Sequence, residues 1–135
     1  MASQTLQFEL VSPEKLLFSK QVALVTVPGS EGEYGVLPGH APMITSVKAG
    51  VIEIFAEENA APCDRIFVAG GFAEVTQTRC TVLATEAMPV EQLNRGKLEG
   101  QAKEVAEKLA AAPDAARAEL LAQQAVIAAK LQVAA

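Results

Sequence analysis

A change of period constrains this chain more than any other feature. Up to residue 85 apolar residues recur at every second position in short runs, and beyond Glu86 they recur at helical spacing. Leu6, Phe8 and Leu10 alternate with Gln7, Glu9 and Val11 before Ser12-Pro13-Glu14 turns the chain. Leu16 and Phe18 mark a second strand, and Val22, Leu24 (or, in the other phase, Ala23 and Val25) and Val27 a third that ends at Pro28-Gly29. Met43 to Val47, Val51 to Ala56, Arg65 to Ala69, Phe72 to Thr76 and Arg79 to Thr85 continue the pattern. Lys48-Ala49-Gly50 reads as a turn and the polar stretch Glu57 to Asp64 as a hairpin loop. The spacing predicts roughly eight to ten short strands, more than one flat open sheet holds, so two packed sheets are expected.

The segment Gly29 to Thr45, GSEGEYGVLPGHAPMIT, sits within this pattern and cannot be a helix. Gly29, Gly32, Gly35 and Gly39 interrupt it, and Pro38 and Pro42 each lack a backbone donor. It reads as two tight turns around a short strand, Tyr34 to Leu37. The first turn displays Glu31 and Glu33. The second, Pro38-Gly39-His40-Ala41-Pro42, is stiff because each proline fixes its own φ and drives the preceding residue toward extended backbone. A rigid turn on a small β body is a candidate docking surface.

After Glu86 there is no further aromatic residue, and Ala, Glu, Lys, Gln and Leu dominate. Pro89 suits the first turn of a helix. Val90, Leu93, Leu98, Ala102, Val105, Ala106 and Leu109 then give a helical stripe. Ala111-Ala112-Pro113-Asp114 breaks it, with Asp114 as the expected N-cap of a second helix carrying Ala116, Leu120, Ile127 and Leu131 on one face and Leu121, Ala125 and Ala128 beside it. The expected architecture is therefore α+β: an N-terminal all-β sandwich over residues 1–86, then an antiparallel two-helix hairpin over 87–135. Gly96 and Gly100 each cost about 1 kcal/mol relative to alanine inside a helix. The alanine-rich stripe buries little area, so the hairpin is expected to be weakly held, unless the glycines serve close helix approach.

Composition excludes several classes of function. A net charge of −5 lacks the clustered cations that nucleic acid demands. No window approaches eighteen uninterrupted apolar residues, so direct membrane insertion is not expected. The start MASQTLQFEL has no basic region followed by an apolar run. Cys63 and Cys80 have no metal-ligand spacing, and with one histidine no zinc site is expected. A catalytic role would have to use His40, whose neighbours Gly39 and Ala41 supply no orienting carboxylate. Ser12, Ser19, Ser30 and Ser46 lie outside any nucleophile-elbow pattern, so no catalytic residue is assigned.

Three segments, the opening LQFELVSPEKLLFS, the run GSEGEYGVLPGHAP and GGFAEV at 70–75, together carry a resemblance. In order and spacing the chain resembles the epsilon-subunit family of the bacterial F-type rotary ATP synthases, called delta in mitochondria. The resemblance is strong over residues 5–85 and loose over 86–135. It implies a non-catalytic rotor subunit of the central stalk that couples the gamma subunit to the ring of c subunits. It further implies a seat on the cytoplasmic face of the bacterial inner membrane, reached through the complex. Carried over position by position, Glu31, Gly32 and Glu33 face the polar loops of the c-ring, and Ser12, His40 and Thr45 face gamma. A contact between the hairpin and the catalytic head is left open, and Arg117 and Lys130 against Glu119 would give it a weak electrostatic grip.

Some relatives bind ATP through an aspartate and an Arg-Ala pair at the start of the first helix. Here Glu91 replaces the aspartate, Asn94 takes the arginine position, and Arg95 is displaced by one residue, about 100° around a helix. An ATP site at Glu91 and Arg95 is therefore not expected, and no cofactor is assigned. Two other readings fit the residues. One is an adaptor that docks on an unrelated target through the PGHAP turn, and the other is a nucleotide-sensing β-sandwich.

Overall fold

The computed structural model of the chain describes residues 5–134. Ten strands come first: β1 (Leu6–Val11), β2 (Leu16–Val22), β3 (Leu24–Gly29), β4 (Gly32–Val36), β5 (Met43–Val47), β6 (Gly50–Phe55), β7 (Asp64–Val68), β8 (Gly71–Val75), β9 (Arg79–Ala84) and β10 (Ala87–Pro89). A single 3₁₀ turn (Val90–Gln92) and two helices follow, α1 (Arg95–Ala111) and α2 (Asp114–Val133). The chain divides between Pro89 and Val90 into two compact units.

The strands form one curled sheet in the order β10-β7-β6-β3-β5-β8-β9-β1-β2, with β4 paired to β3 alone. β3 is the hinge of the curl. Leu24 to Thr26 pair with β6, whereas only Gly29 pairs with β5, opposite Val47. The sheet therefore folds over on itself and encloses one core. Leu6, Phe8, Leu10, Val22, Val25, Val27, Ile52, Ile54, Val75 and Val82 are essentially inaccessible there. Each such side chain contributes roughly 1.5–3 kcal/mol relative to exposure, so the alternation in the sequence accounts for the register of every strand it labels.

The structure corrects three local expectations. Val22 ends β2, and Ala23 forms the bend before β3, so the third strand starts at Leu24. Pro89 does not open a helix: it closes β10, an edge strand where its missing donor costs no ladder bond. Helix α1 instead begins at Arg95 behind the N-cap Asn94, whose side chain accepts from the Lys97 amide at 3.0 Å. Asp114 is the first helical residue of α2, an acid in the first turn, and Pro113 precedes it as N-cap without a side-chain bond.

Within the second unit, α1 and α2 are antiparallel and tied at both ends. Arg95, at the start of α1, donates through Nη2 to the carbonyls of Leu131 and Ala134 at 2.8 and 3.0 Å. Arg117, early in α2, donates to the Leu109 carbonyl at 3.0 Å. These carbonyls lie at helix C-termini, where intrahelical donors run out. Leu98, Val105 and Ile127 are buried, but Ala106 and Leu121 are exposed, so the apolar face is narrower than the stripe suggested. Neither glycine serves close helix approach. A Cβ at Gly100 would meet nothing within 4 Å, and one at Gly96 only the Asn94 Oδ1 at 3.4 Å.

Candidate functional site

The Gly29–Thr45 segment builds the first part of the site. Ser30 and Glu31 form a two-residue turn between β3 and β4, with Gly29 opposite Gly32 and Pro28 opposite Glu33. Tight hairpins usually place the turn residues at positive φ. Here no non-glycine residue among those described does so; Gly32, at φ +134°, takes up the reversal. Glu31, Gly32 and Glu33 are exposed at the tip. Among the described residues neither carboxylate has an ion-pair partner. The hairpin is fixed to β5 by Ser30 N–H to the Ser46 carbonyl at 3.0 Å and Lys48 N–H to the Pro28 carbonyl at 2.9 Å.

The second turn is of type II. His40 N–H donates to the Leu37 carbonyl at 3.1 Å, Pro38 sits at the second position and Gly39 at the third with φ +85°. Gly39 N–H reaches the Gln77 carbonyl at 2.7 Å, which pins the turn to the β8–β9 hairpin. The His40 Nδ1–H donates to the carbonyl of Ala41 at 2.7 Å. Its ring thus shapes its own loop, and no carboxylate or hydroxyl orients it as a general base.

The two turns lead into β5, where side chains alternate between the core and solvent. Met43, Thr45 and Val47 point inward; Thr45 shares a hydrogen bond with the Tyr34 hydroxyl and is half-buried. Ile44 and Ser46 point outward. Ile44 is 73 % exposed, and on the same outward face lie Phe72 of β8 at 58 % and Leu83 of β9 at 44 %. The register aligns them: Ser46 opposes Phe72, Phe72 opposes Leu83, and Leu83 opposes Val11. Leu16, 53 % exposed, continues the row on β2. This is a contiguous apolar patch on a protein whose aromatic residues are few, the kind of surface that marks an interface.

Two of the three residues expected to face gamma bracket the patch. Ser12 follows Val11 at one end, its Oγ accepting from the Glu14 and Lys15 amides at 3.4 and 3.2 Å. His40 lies at the other end, just ahead of β5. Thr45 is in the same strand as Ile44 but on the inner side. No motif in the sequence marks the patch itself. Its signal was there: Ile44, Phe72 and Leu83 are large apolar residues in the phase that other strands give to polar side chains.

Gly70 and Gly71 set Phe72 in place. Their φ values are +135° and +149°, and a Cβ on Gly71 would lie 1.9 Å from the Leu83 carbonyl oxygen. Only glycine lets β8 come this close to β9.

The remaining sequence candidates do not assemble into a site. Glu91 is in the 3₁₀ turn, and Arg95 is bound to the end of α2, with Glu99 3.9 Å away. Among the described residues no hydrogen bond or ion pair joins Glu91 to Arg95, and no group of His, Cys, Asp and Glu is placed to hold a metal ion. Cys80 is buried, and burial pushes its thiol up to about 12, so it is inert as a nucleophile. Burial, more than the Thr45 bond that opposes it, also raises the Tyr34 hydroxyl above its ordinary value. Among the described residues no helix is long and apolar enough to cross a membrane.

Residues 5–90 match the family model described as the ATP synthase delta/epsilon chain, beta-sandwich domain. The ATP synthase epsilon chain of Rhodospirillum centenum is 54 % identical over 102 residues, covering 76 % of this chain and 70 % of that one. That of Rhodospirillum rubrum is 46 % identical over 129 residues, covering 88 % and 95 %. A chain in the cryo-EM structure of the Euglena gracilis mitochondrial ATP synthase, comprising OSCP, F1 and c-ring, superposes with TM-score 0.77 at 25 % identity, over 95 % of this chain and 79 % of that one. A chain from the Tetrahymena thermophila mitochondrial ATP synthase central stalk and c-ring shares the fold, with TM-score 0.68 at 12 % identity, over all of both chains.

Proposed function

The chain belongs to the ATP synthase delta/epsilon family, and from that premise we propose how its surfaces divide the work of a central-stalk subunit. It is a non-catalytic subunit of the complex, with gamma and the c-ring as partners. The apolar patch of Ile44, Phe72 and Leu83, bracketed by Ser12 and His40, is the gamma-binding surface. The acidic tip of Glu31, Gly32 and Glu33 rests on the c-ring. The observation that carries this reading is the pairing of those two surfaces across β5: Ser46 anchors the tip by its carbonyl and opposes Phe72 in the ladder. A close-packed body so arranged keeps ring and shaft turning together, because packed interiors compress little.

Membrane association then comes through the complex, at the cytoplasmic face of the bacterial inner membrane. The reading assigns no ATP to the hairpin, since the Arg95 guanidinium already closes it on the Leu131 and Ala134 carbonyls. The test is reconstitution of the stalk with Glu31→Gln plus Glu33→Gln. Binding to gamma is expected to be unchanged, while binding to the isolated c-ring weakens and loses salt dependence. Equal c-ring binding by the doubly substituted chain at low and high salt, matching the unsubstituted chain, would refute the assignment of the tip.

A further inference from the structure

Among the described residues one charged side chain lines the shallow hollow between Ile44, Phe72 and Leu83. Glu74, on the outward face of β8, stands opposite Ile44 on β5 and Thr81 on β9, with Phe72 two residues away on its own strand and Leu83 diagonal to it. Its situation differs from that of Glu9, Glu53 and Asp64 on the neighbouring strands. Glu9 has Arg79 at 3.5 Å, Glu53 has Arg65 at 3.4 Å and Asp64 has Lys20 at 3.7 Å. Glu74 has no such neighbour among the described residues, and it lines the hollow with Ile44, Phe72, Leu83 and the uncharged Thr81. In the free subunit water solvates it. A partner that covers Ile44, Phe72 and Leu83 must cover Glu74 as well. A carboxylate removed from water without a counter-charge carries a large penalty, and one removed with a well-placed cation does not.

We propose that the surface of gamma that docks on this patch presents a lysine or arginine side chain to Glu74, within an otherwise apolar footprint. The inference rests on the patch being the gamma-binding surface. It makes Glu74 the residue that fixes register and orientation, since apolar contact is non-directional and a buried ion pair is not. Sliding the footprint along β8 by one inward–outward repeat, about 7 Å, would bury both charges unpaired.

The experiment measures binding of the full chain to a head complex that retains gamma and lacks this subunit, with Glu74→Gln, Glu74→Lys and Phe72→Ala compared. Glutamine keeps the shape and removes the charge, so only a facing cation makes the substitution weaken binding. With a facing cation, Glu74→Gln weakens binding about 10-fold or more and flattens the dependence of affinity on salt, and Glu74→Lys weakens it more than 100-fold. Without one, Glu74→Gln leaves affinity unchanged or improves it, which overturns the proposal. Phe72→Ala separates the two levels. If it weakens binding while Glu74→Gln does not, only the facing cation is lost; if it too binds normally, the patch assignment fails with it. Glu74 is exposed on the sheet, so thermal unfolding of both Glu74 variants should match that of the unsubstituted chain.

Discussion

Replacing Phe72 with alanine should separate binding from folding, and the structure sets the size of the effect. Phe72 is 58 % exposed, so about 40 % of the residue is already covered in the free subunit. A phenylalanine buries about 200 Å² when fully enclosed, which leaves roughly 120 Å² for a partner to cover. At about 25 cal/mol per Å² this is close to 3 kcal/mol, or about a 100-fold change in the dissociation constant. Folding should hardly respond. Phe72 points away from the core that holds Ala73 and Val75, and loss of an outward aromatic from a strand costs at most about 1 kcal/mol. Equilibrium binding to immobilised gamma-containing head complex, alongside denaturant unfolding of the same sample, reads both quantities. A loss of affinity below threefold with an unchanged unfolding midpoint would refute the reasoning, because the largest exposed ring of the patch would then contribute nothing.

Three further outcomes follow from particular distances and burials. Gly71→Ala forces a Cβ to 1.9 Å from the Leu83 carbonyl oxygen at a φ of +149°, so it should cost about 3 kcal/mol or more and lower the melting temperature by at least about 10 °C; a shift under 3 °C would show that β8 and β9 can part freely. Gly100→Ala adds a Cβ that meets nothing, so amide-exchange protection across α1 should rise by up to about 1 kcal/mol, and unchanged protection would mean that the hairpin is not limited by its own helix propensity. Alkaline stability should track Cys80. Its thiol is held protonated up to about 12 in the folded chain, against 9.0 unfolded, so the unfolded state releases its proton first. Stability is then complete below pH 9 and declines above it, by up to about 1.4 kcal/mol per pH unit, with Tyr34 adding in the same direction above its ordinary value of 10.0. Cys80→Ala should flatten the decline between pH 9 and 10, measured as urea midpoints, and an equal slope would remove Cys80 as its cause.

The strands were legible because their physics is local. Leu6-Phe8-Leu10 or Ile52-Ile54 can alternate with polar residues in only one pairing phase, and that phase is the one observed. The hairpin was legible for the same reason, through Pro113 and the spacing of Leu98, Val105 and Ile127. What the sequence could not supply was pairing between distant strands. Ser46, Phe72, Leu83 and Val11 are far apart in the chain, and only the order β5-β8-β9-β1 lines them up as one surface. Thr45 holds a motif position that the resemblance assigns to the gamma side, and its strand parity, invisible in the motif, turns its hydroxyl toward Tyr34. Pro89 looked like a helix start because the change of composition precedes it, yet β10 still had to cover the edge of β7.

The same topology explains why an acidic tip and an apolar face should belong to one mechanical part. Force applied at Glu31 enters the β3–β4 hairpin, which β4 alone would leave as a lever hanging from one neighbour. It is braced instead at its root. Gly29 pairs with Val47, and the amides of Ser30 and Lys48 close bonds to the Ser46 and Pro28 carbonyls, so both strands of the turn are stitched to β5. A side chain at Gly29 would lie 2.8 Å from the Gly32 carbonyl oxygen and from the Tyr34 ring. The brace is therefore packed to contact, and it has little room to yield. Two residues before Ser46 stands Ile44, and across the ladder stands Phe72. The path from the charge-bearing tip to the apolar patch thus runs through backbone hydrogen bonds and one strand, without a flexible loop. A load at one surface reaches the other as displacement of the whole sandwich, which is the property a coupling between a ring and a shaft requires.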